Sequence, residues 1–137
     1  MKQIAKARFA IKSWDEKPYS EGPDLPKLTR ASVSKTFTGD IEGEGQVEYL
    51  MMYRGDGSAG FVGMERVTGQ IAGKSGSFVL QRTGVFEGGR ARESYAVVPG
   101  SGTGKLHGLR GDGTSDVGHG SEHPMILNYE LARENES

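Results

Sequence analysis

The sequence contains no cysteine among its 137 residues. It therefore forms no disulfide, offers no thiolate nucleophile and has no Cys ligand for zinc or an iron–sulfur cluster. Long hydrophobic runs are missing too. None approaches the roughly 20 residues of a membrane-spanning helix, and residues 1–6 lack the apolar stretch of a secretory signal. These absences predict a cytoplasmic protein that does not associate with membranes.

An excess of charge of either sign is also absent. The chain has 17 Lys and Arg residues against 18 Asp and Glu residues, which gives a net charge of −1. Affinity for nucleic acids depends on a basic surface that displaces counterions from the phosphates. We therefore expect no nucleic-acid partner.

Glycine, by contrast, is abundant. The 22 glycines exceed the average usage of about 7%, and they lie between and within segments of alternating apolar and polar residues. This pattern favours strands joined by turns. The predicted strands are residues 3–14, 29–37, 46–54, 61–72, 77–86, 91–98, 105–110 and 125–132, with a polar loop at 111–124.

Strands of this number and spacing predict an all-β fold, a single antiparallel closed β-barrel of about eight strands. Glycines within the strands, such as Gly63, Gly69, Gly84 and Gly108, suit the coiling that closure requires. Residues 1–137 contain no linker and are predicted to form one domain. An open β-sandwich is the alternative architecture.

Two tight turns indicate which side chains face the interior of the central hairpins. A turn at 88–89 places Arg82 opposite Tyr95, and a turn at 73–74 places Glu65 opposite Arg82, or diagonally if the turn lies one residue later. Glu65, Arg82 and Tyr95 then form a candidate ligand-binding row, in which Arg82 grips a carboxylate and Tyr95 donates to a ligand oxygen. The alternative is a purely structural ion pair.

The same face of these strands and of strand 46–54 carries apolar side chains that would line a pocket beside this row. We expect a small apolar or amphipathic ligand and no cofactor. The predicted lining residues are Tyr49, Met51, Tyr53, Phe61, Val67, Phe78, Leu80, Phe86 and Val97.

The strand at 46–54 is apolar on both faces, because Leu50 and Met52 alternate with the lining residues. Val62 and Met64 extend this property to the next strand. An apolar outer face requires a cover, and a second subunit is the predicted one, so we expect a homo-oligomer. The alternative cover is the Pro-rich loop of the chain itself.

Four potential metal ligands cluster near the C-terminus: Asp116, His119, Glu122 and His123. Imidazole and carboxylate groups suit zinc and similar ions. Nearby glycines and a proline argue against the helix that would place both histidines on one face. The stretch is therefore predicted to be a solvated loop, with no metal site.

Several segments resemble a bacterial family of unknown function, and they occur in the family's order: residues 26–31, 39–45, 63–69, 76–81 and 97–104. The resemblance implies a barrel similar to that of plant allene oxide cyclase. It implies a fold and not an activity, and no cyclase motif is present from which catalytic residues can be transferred.

Three functions are compatible with these observations. The leading hypothesis is a barrel that binds a small molecule in its interior. The first alternative is an isomerase or cyclase that constrains a flexible apolar substrate, which is catalysis by positioning. The second is a plugged barrel with a structural role in an oligomer.

Overall fold

A computed structural model describes residues 2–118 and 122–131 and shows a closed barrel of eight antiparallel strands. The strands are β1 (Lys2–Ser20), β2 (Lys27–Gly39), β3 (Ile41–Tyr53), β4 (Ala59–Ile71), β5 (Lys74–Glu87), β6 (Arg90–Val97), β7 (Arg110–Val117) and β8 (His123–Glu130). Neighbours in sequence pair with each other, and β8 returns to pair with β1. The predicted fold is therefore confirmed. Within the described residues, no helix has the length and apolar character needed to cross a membrane.

The seventh strand was predicted in the wrong place. Residues 105–110 contain the end of a short 3-10 turn (Gly104–Leu106), and the first half of the predicted loop at 111–124 belongs to the strand β7. Three of its four inward positions hold the small residues Gly111, Gly113 and Ser115, and the fourth holds Val117, so the usual apolar alternation is largely missing. The neighbouring Tyr95 ring needs this space, because a Cβ at Gly113 would lie 2.7 Å from it.

The hairpin registers agree with the prediction in one case and differ in the other. Arg82 pairs with Tyr95 as predicted, across a turn with positive φ at positions 88 and 89. The preceding turn lies at residues 72–73 and not at 73–74, so Glu65 pairs with Leu80. Because the error is a shift of two residues, Glu65 keeps its predicted inward orientation and is a diagonal neighbour of Arg82.

The barrel interior contains two separate apolar groups. One end is a packed core, completed by Leu106 and Leu109 from the segment between β6 and β7, and we call it the closed end. The other end contains Ala31, Val33, Val47, Tyr49, Met51 and Ala59, with Tyr53, Phe61 and Phe86 packed against them. The buried side chain of Lys35 lies where the two groups meet, because it contacts the Phe9 ring of the first group and the Tyr49 ring of the second.

A bulge in β1 changes which side chains this strand turns inward. Ile11 pairs with Lys35 and Ser13 with Ser34, so Lys12 is an extra residue and the alternation is reversed beyond it. A bulge of this kind re-aims the side chains that follow it. As a result Trp14 stacks on the Tyr49 ring, with 6.1 Å between ring centroids.

The outer face of β3 and β4 is apolar and accessible. Leu50, Val62 and Met64 are about half exposed, and Leu50 pairs directly with Val62. The Pro-rich loop is the alternative cover for this face, and its Leu25 is itself exposed. The predicted homo-oligomer stays a prediction.

Candidate functional site

A cavity of about 320 Å³ occupies the barrel interior at the end opposite the closed end. Its wall is mostly aromatic and aliphatic, and its polar groups include Lys35 and Glu93. The lining residues are Phe9, Ile11, Trp14, Lys35, Tyr49, Met51, Tyr53, Ala59, Phe61, Phe86, Gly89, Ala91, Glu93, Val117, Gly118 and His123.

The structure divides the residues predicted to line a pocket into two sets. Tyr49, Met51, Tyr53, Phe61 and Phe86 line the cavity. The other four, Val67, Phe78, Leu80 and Val97, are packed in the closed end.

A cluster of four buried charges lies where the cavity meets the closed end. Glu65 is at its centre: its Oε1 accepts a hydrogen bond of 2.8 Å from Arg82 Nε, and its Oε2 lies 3.3 Å from Lys35 Nζ. Arg82 Nη1 lies 2.9 Å from Glu93 Oε1. The four side chains, Lys35, Glu65, Arg82 and Glu93, are each at most 8% exposed. Two cations and two carboxylates leave the cluster formally neutral, as burial of charge requires.

The electrostatic environment keeps Glu65 and Arg82 ionised. Burial alone would raise the pKa of Glu65, but the charges of Arg82 and Lys35 outweigh it and hold the pKa below its ordinary value. Burial opposes the charge on Arg82 as well, yet Glu65 and Glu93 together raise the pKa of its guanidinium. The predicted pairing of Glu65 with Arg82 is thus an ion pair with further partners on both sides.

The protonated form of Lys35, in contrast, is destabilised by its surroundings. Burial, together with repulsion from Arg82, lowers the pKa of its amine from 10.5 to about 8, although Glu65 opposes the shift. Because this pKa is lower in the folded state than in the unfolded one, the unfolded chain binds more protons here between pH 8 and 10.5. The free energy of unfolding contributed by Lys35 therefore rises with pH across this window.

Tyr95 lies beside the cluster but its hydroxyl is engaged elsewhere. The hydroxyl donates a hydrogen bond of 2.7 Å to the backbone carbonyl of Ile126 in β8. The guanidinium of Arg82 lies over the Tyr95 ring, 4.8 Å from its centroid. Tyr95 thus orients Arg82 through its ring, and its hydroxyl links β6 to β8 across β7.

The rim of the cavity is fixed by a second polar contact set. Glu16, placed inward by the β1 bulge, accepts hydrogen bonds from Thr29 Oγ1 and Tyr53 Oη, both at 2.6 Å, and from Trp14 Nε1 at 2.9 Å. Burial would raise the pKa of Glu16, but these donors outweigh burial and lower it. A carboxylate held in this way anchors Trp14 and Tyr53 at the cavity wall.

Two inward glycines make room for the large side chains of the site. A Cβ at Gly45 would lie 2.7 Å from Glu65 Oε2, and one at Gly63 would lie 2.7 Å from the Tyr49 ring. Such distances are far below van der Waals contact. The glycines of β3 and β4 therefore allow a buried carboxylate and a tyrosine to occupy the barrel interior.

Lys35 and Glu93 were missed by sequence reasoning, although a signal exists for both. Glu93 has the same parity in its strand as Tyr95, which the hairpin register places inside. Lys35 lies on the same inward face of β2 as the buried Ala31, Val33 and Phe37, at every second position of the strand. A charged residue at an apolar position of such a pattern indicates a buried polar site.

The candidate metal ligands do not form a site where the structure describes them. His119 lies outside the described residues. Asp116 Oδ1 accepts a hydrogen bond of 2.7 Å from Arg90 Nε, and the His123 ring packs on Phe9 with 5.1 Å between centroids. Among residues 2–118 and 122–131, no group of three or more His, Asp or Glu side chains is arranged to hold a metal ion.

The comparisons with known proteins agree with one another. The profile of a family described as a protein of unknown function (DUF3224) matches residues 5–129. A crystal structure of a DUF3224 protein of unknown function from Shewanella oneidensis MR-1 is 31% identical and has a TM-score of 0.79. The alignment covers 97% of this chain and 99% of that one. Among curated proteins none is similar to this chain. The chain belongs to the DUF3224 family.

Proposed function

We propose that this protein binds an apolar or amphipathic small molecule inside the barrel, in the cavity at the end opposite the closed end. The observation that carries the proposal is the cavity itself, whose wall is mainly aromatic and aliphatic and whose inner surface includes Lys35 and Glu93. Its volume of about 320 Å³ lies at the lower end of the roughly 300–1,000 Å³ typical of ligand sites.

The wall and the charged residues would recognise different parts of such a ligand. Burial of apolar ligand surface against Trp14, Met51 and Phe61 supplies affinity, at about 25 cal/mol per Å² before the entropy of binding is subtracted. Glu93 Oε1 is engaged by Arg82, whereas its Oε2 has no hydrogen-bond partner among the described residues. A hydroxyl or N–H at the inner end of the ligand would satisfy this oxygen.

The alternative of a plugged barrel fits only the closed end of the interior. The closed end is filled by its own side chains, whereas the other end retains its cavity, which favours binding over a purely structural role. The isomerase or cyclase alternative requires turnover in the same cavity, and binding must be shown first.

Binding is tested with the neutral fluorophore 1-N-phenylnaphthylamine, whose emission rises in an apolar site. Trp14 is the single tryptophan of the chain and lines the cavity, so energy transfer from it to the bound dye reports occupancy directly. We expect a saturable signal from the wild-type protein.

A matched pair of variants on β6 locates the signal. Ala91 lines the cavity, whereas Ala96 is exposed on the outer face of the same strand. We expect Ala91→Phe to abolish saturable binding by filling the cavity and Ala96→Phe to leave it intact. Equal binding by wild type and Ala91→Phe, or no saturable binding by wild type, would overturn the proposal.

A further inference from the structure

The amine of Lys35 lies in the cavity, and the Glu65–Arg82 ion pair does not explain its presence there. The side chain is 2% exposed and lines the cavity. Its Nζ lies 3.3 Å from Glu65 Oε2, 3.3 Å from the Tyr49 hydroxyl oxygen and 4.7 Å from the centroid of the Phe9 ring. A structural ion pair between Glu65 and Arg82 does not need this third member, since Arg82 already contacts Glu65 through Nε.

We propose that Lys35 is the nucleophile of a covalent site, and that its amine forms an imine with the carbonyl carbon of an apolar aldehyde or ketone held in the cavity. The inference rests on the proposed function and names its ligand class. A lysine desolvated in an apolar pocket beside another cation is the usual setting of imine chemistry, because both conditions favour the free amine. The lowered pKa of Lys35 agrees with this geometry.

The neighbouring groups balance the reaction. The free amine attacks the carbonyl carbon, and the electron pair of the C=O π bond moves to oxygen. Tyr49 donates its proton to that oxygen and regains one from the attacking nitrogen, which gives the neutral carbinolamine. The nitrogen lone pair then forms the C=N bond, and the hydroxyl leaves as water with a proton from solvent. That proton replaces the one that the ammonium released at the start.

Two electrostatic features suit these steps. Burial raises the pKa of Tyr49 above its ordinary value, so the phenol stays protonated and available as a donor. Its oxygen accepts the hydrogen bond from Lys35, which leaves its own hydrogen free to turn towards a ligand. The product is an iminium ion, which keeps the positive charge beside Glu65. The cluster is therefore neutral both before and after the reaction.

The test traps the imine in the full-length chain at pH 8. trans-Cinnamaldehyde is the probe, and cyanoborohydride supplies the hydride that converts an iminium carbon into a stable secondary amine. Mass spectrometry of peptides then gives the modification at each lysine. At pH 8 a lysine with a pKa near 8 has on the order of a hundredfold more free amine than an ordinary lysine. Because a weaker base is also a weaker nucleophile, we expect at least about tenfold preference for Lys35 over the exposed Lys12.

Two controls assign the reaction to the cavity. Lys35→Arg keeps a cation beside Glu65 but forms no imine, and it should lose the preferred modification, whereas Lys12→Arg should retain it. In the wild-type protein an excess of trans-cinnamyl alcohol, which has the same skeleton without the carbonyl, should protect Lys35 and leave Lys12 unaffected. This second control does not depend on the folding of any variant.

The outcomes separate the two proposals. Preferred, protectable modification of Lys35 supports the imine site. Modification spread over exposed lysines without Lys35, in a protein that still binds 1-N-phenylnaphthylamine, overturns the imine site and leaves the binding function in place. Failure of both the dye and the aldehyde overturns both.

Discussion

Removing the central carboxylate of the charge cluster should destabilise the barrel strongly. In Glu65→Gln the shape of the side chain is kept, but Lys35 and Arg82 are left buried with Glu93 as the remaining carboxylate of the cluster. Glu65 contacts the two cations at 3.3 and 2.8 Å, and Coulomb's law gives about 5–6 kcal/mol for each such pair at an effective dielectric constant of about 20. Relief of the desolvation of the carboxylate offsets part of this loss. We expect the free energy of unfolding to fall by about 3–5 kcal/mol, the usual result of leaving a buried charge unpaired.

The assay is urea denaturation at pH 7, followed by Trp14 fluorescence and far-UV circular dichroism. The double variant Glu65→Gln/Lys35→Met leaves the Arg82–Glu93 pair, whose atoms are 2.9 Å apart, and should recover at least half of the loss. Glu48→Gln is the matched control, since Glu48 forms an exposed pair with Arg30 and its replacement should cost about 1 kcal/mol or less. A loss below about 1 kcal/mol for Glu65→Gln, or a double variant less stable than the single one, would refute the reasoning.

Four further predictions follow from particular contacts. Wild-type stability should rise by about 2–3 kcal/mol relative to Lys35→Met between pH 7.5 and 10, since one pKa unit corresponds to about 1.4 kcal/mol; an unchanged difference in urea titrations would contradict this. Tyr95→Phe should lower the free energy of unfolding by about 1–3 kcal/mol, because the Ile126 carbonyl loses its donor, with unchanged dye binding. Chelators should leave the melting temperature unchanged, and a loss restored by zinc would assign a metal site to 116–123. Met64→Lys should dissociate the predicted homo-oligomer in analytical ultracentrifugation, and a monomeric wild type would contradict that prediction.

Period-two alternation was sufficient to predict the barrel and the inward face of its central hairpins. The Arg82–Tyr95 register follows directly from a turn in which both glycines have positive φ. At the preceding turn the register was predicted wrongly, because Ala72 and not only Gly73 adopts positive φ, which a sequence gives no reason to expect. The inward face was still correct, since a shift of two residues preserves it.

Other parts of the fold follow from packing between strands and have no local signal. β7 presents mostly glycine and serine inward, with Val117 at its end, and Tyr95 fills the space beside Gly113. A strand with so little apolar alternation resembles a loop in sequence. Trp14 faces inward only because Lys12 is an extra residue in β1. The division of the interior into a closed end and a cavity depends on both features, so the sequence predicted a pocket lining that the structure divides between the two ends.

The position of the charge cluster is the strongest physical argument for the proposed binding of a ligand in the cavity. A barrel core gains little stability from buried ion pairs, because well-packed apolar side chains of similar volume are often equally or more stabilising. Two of the four charged residues, Lys35 and Glu93, also line the cavity. Glu65 and Arg82 hold these two in place through contacts at 3.3 and 2.9 Å. The buried ion pair predicted from the sequence thus supports a second pair of charged side chains, and it is this second pair that a ligand would meet.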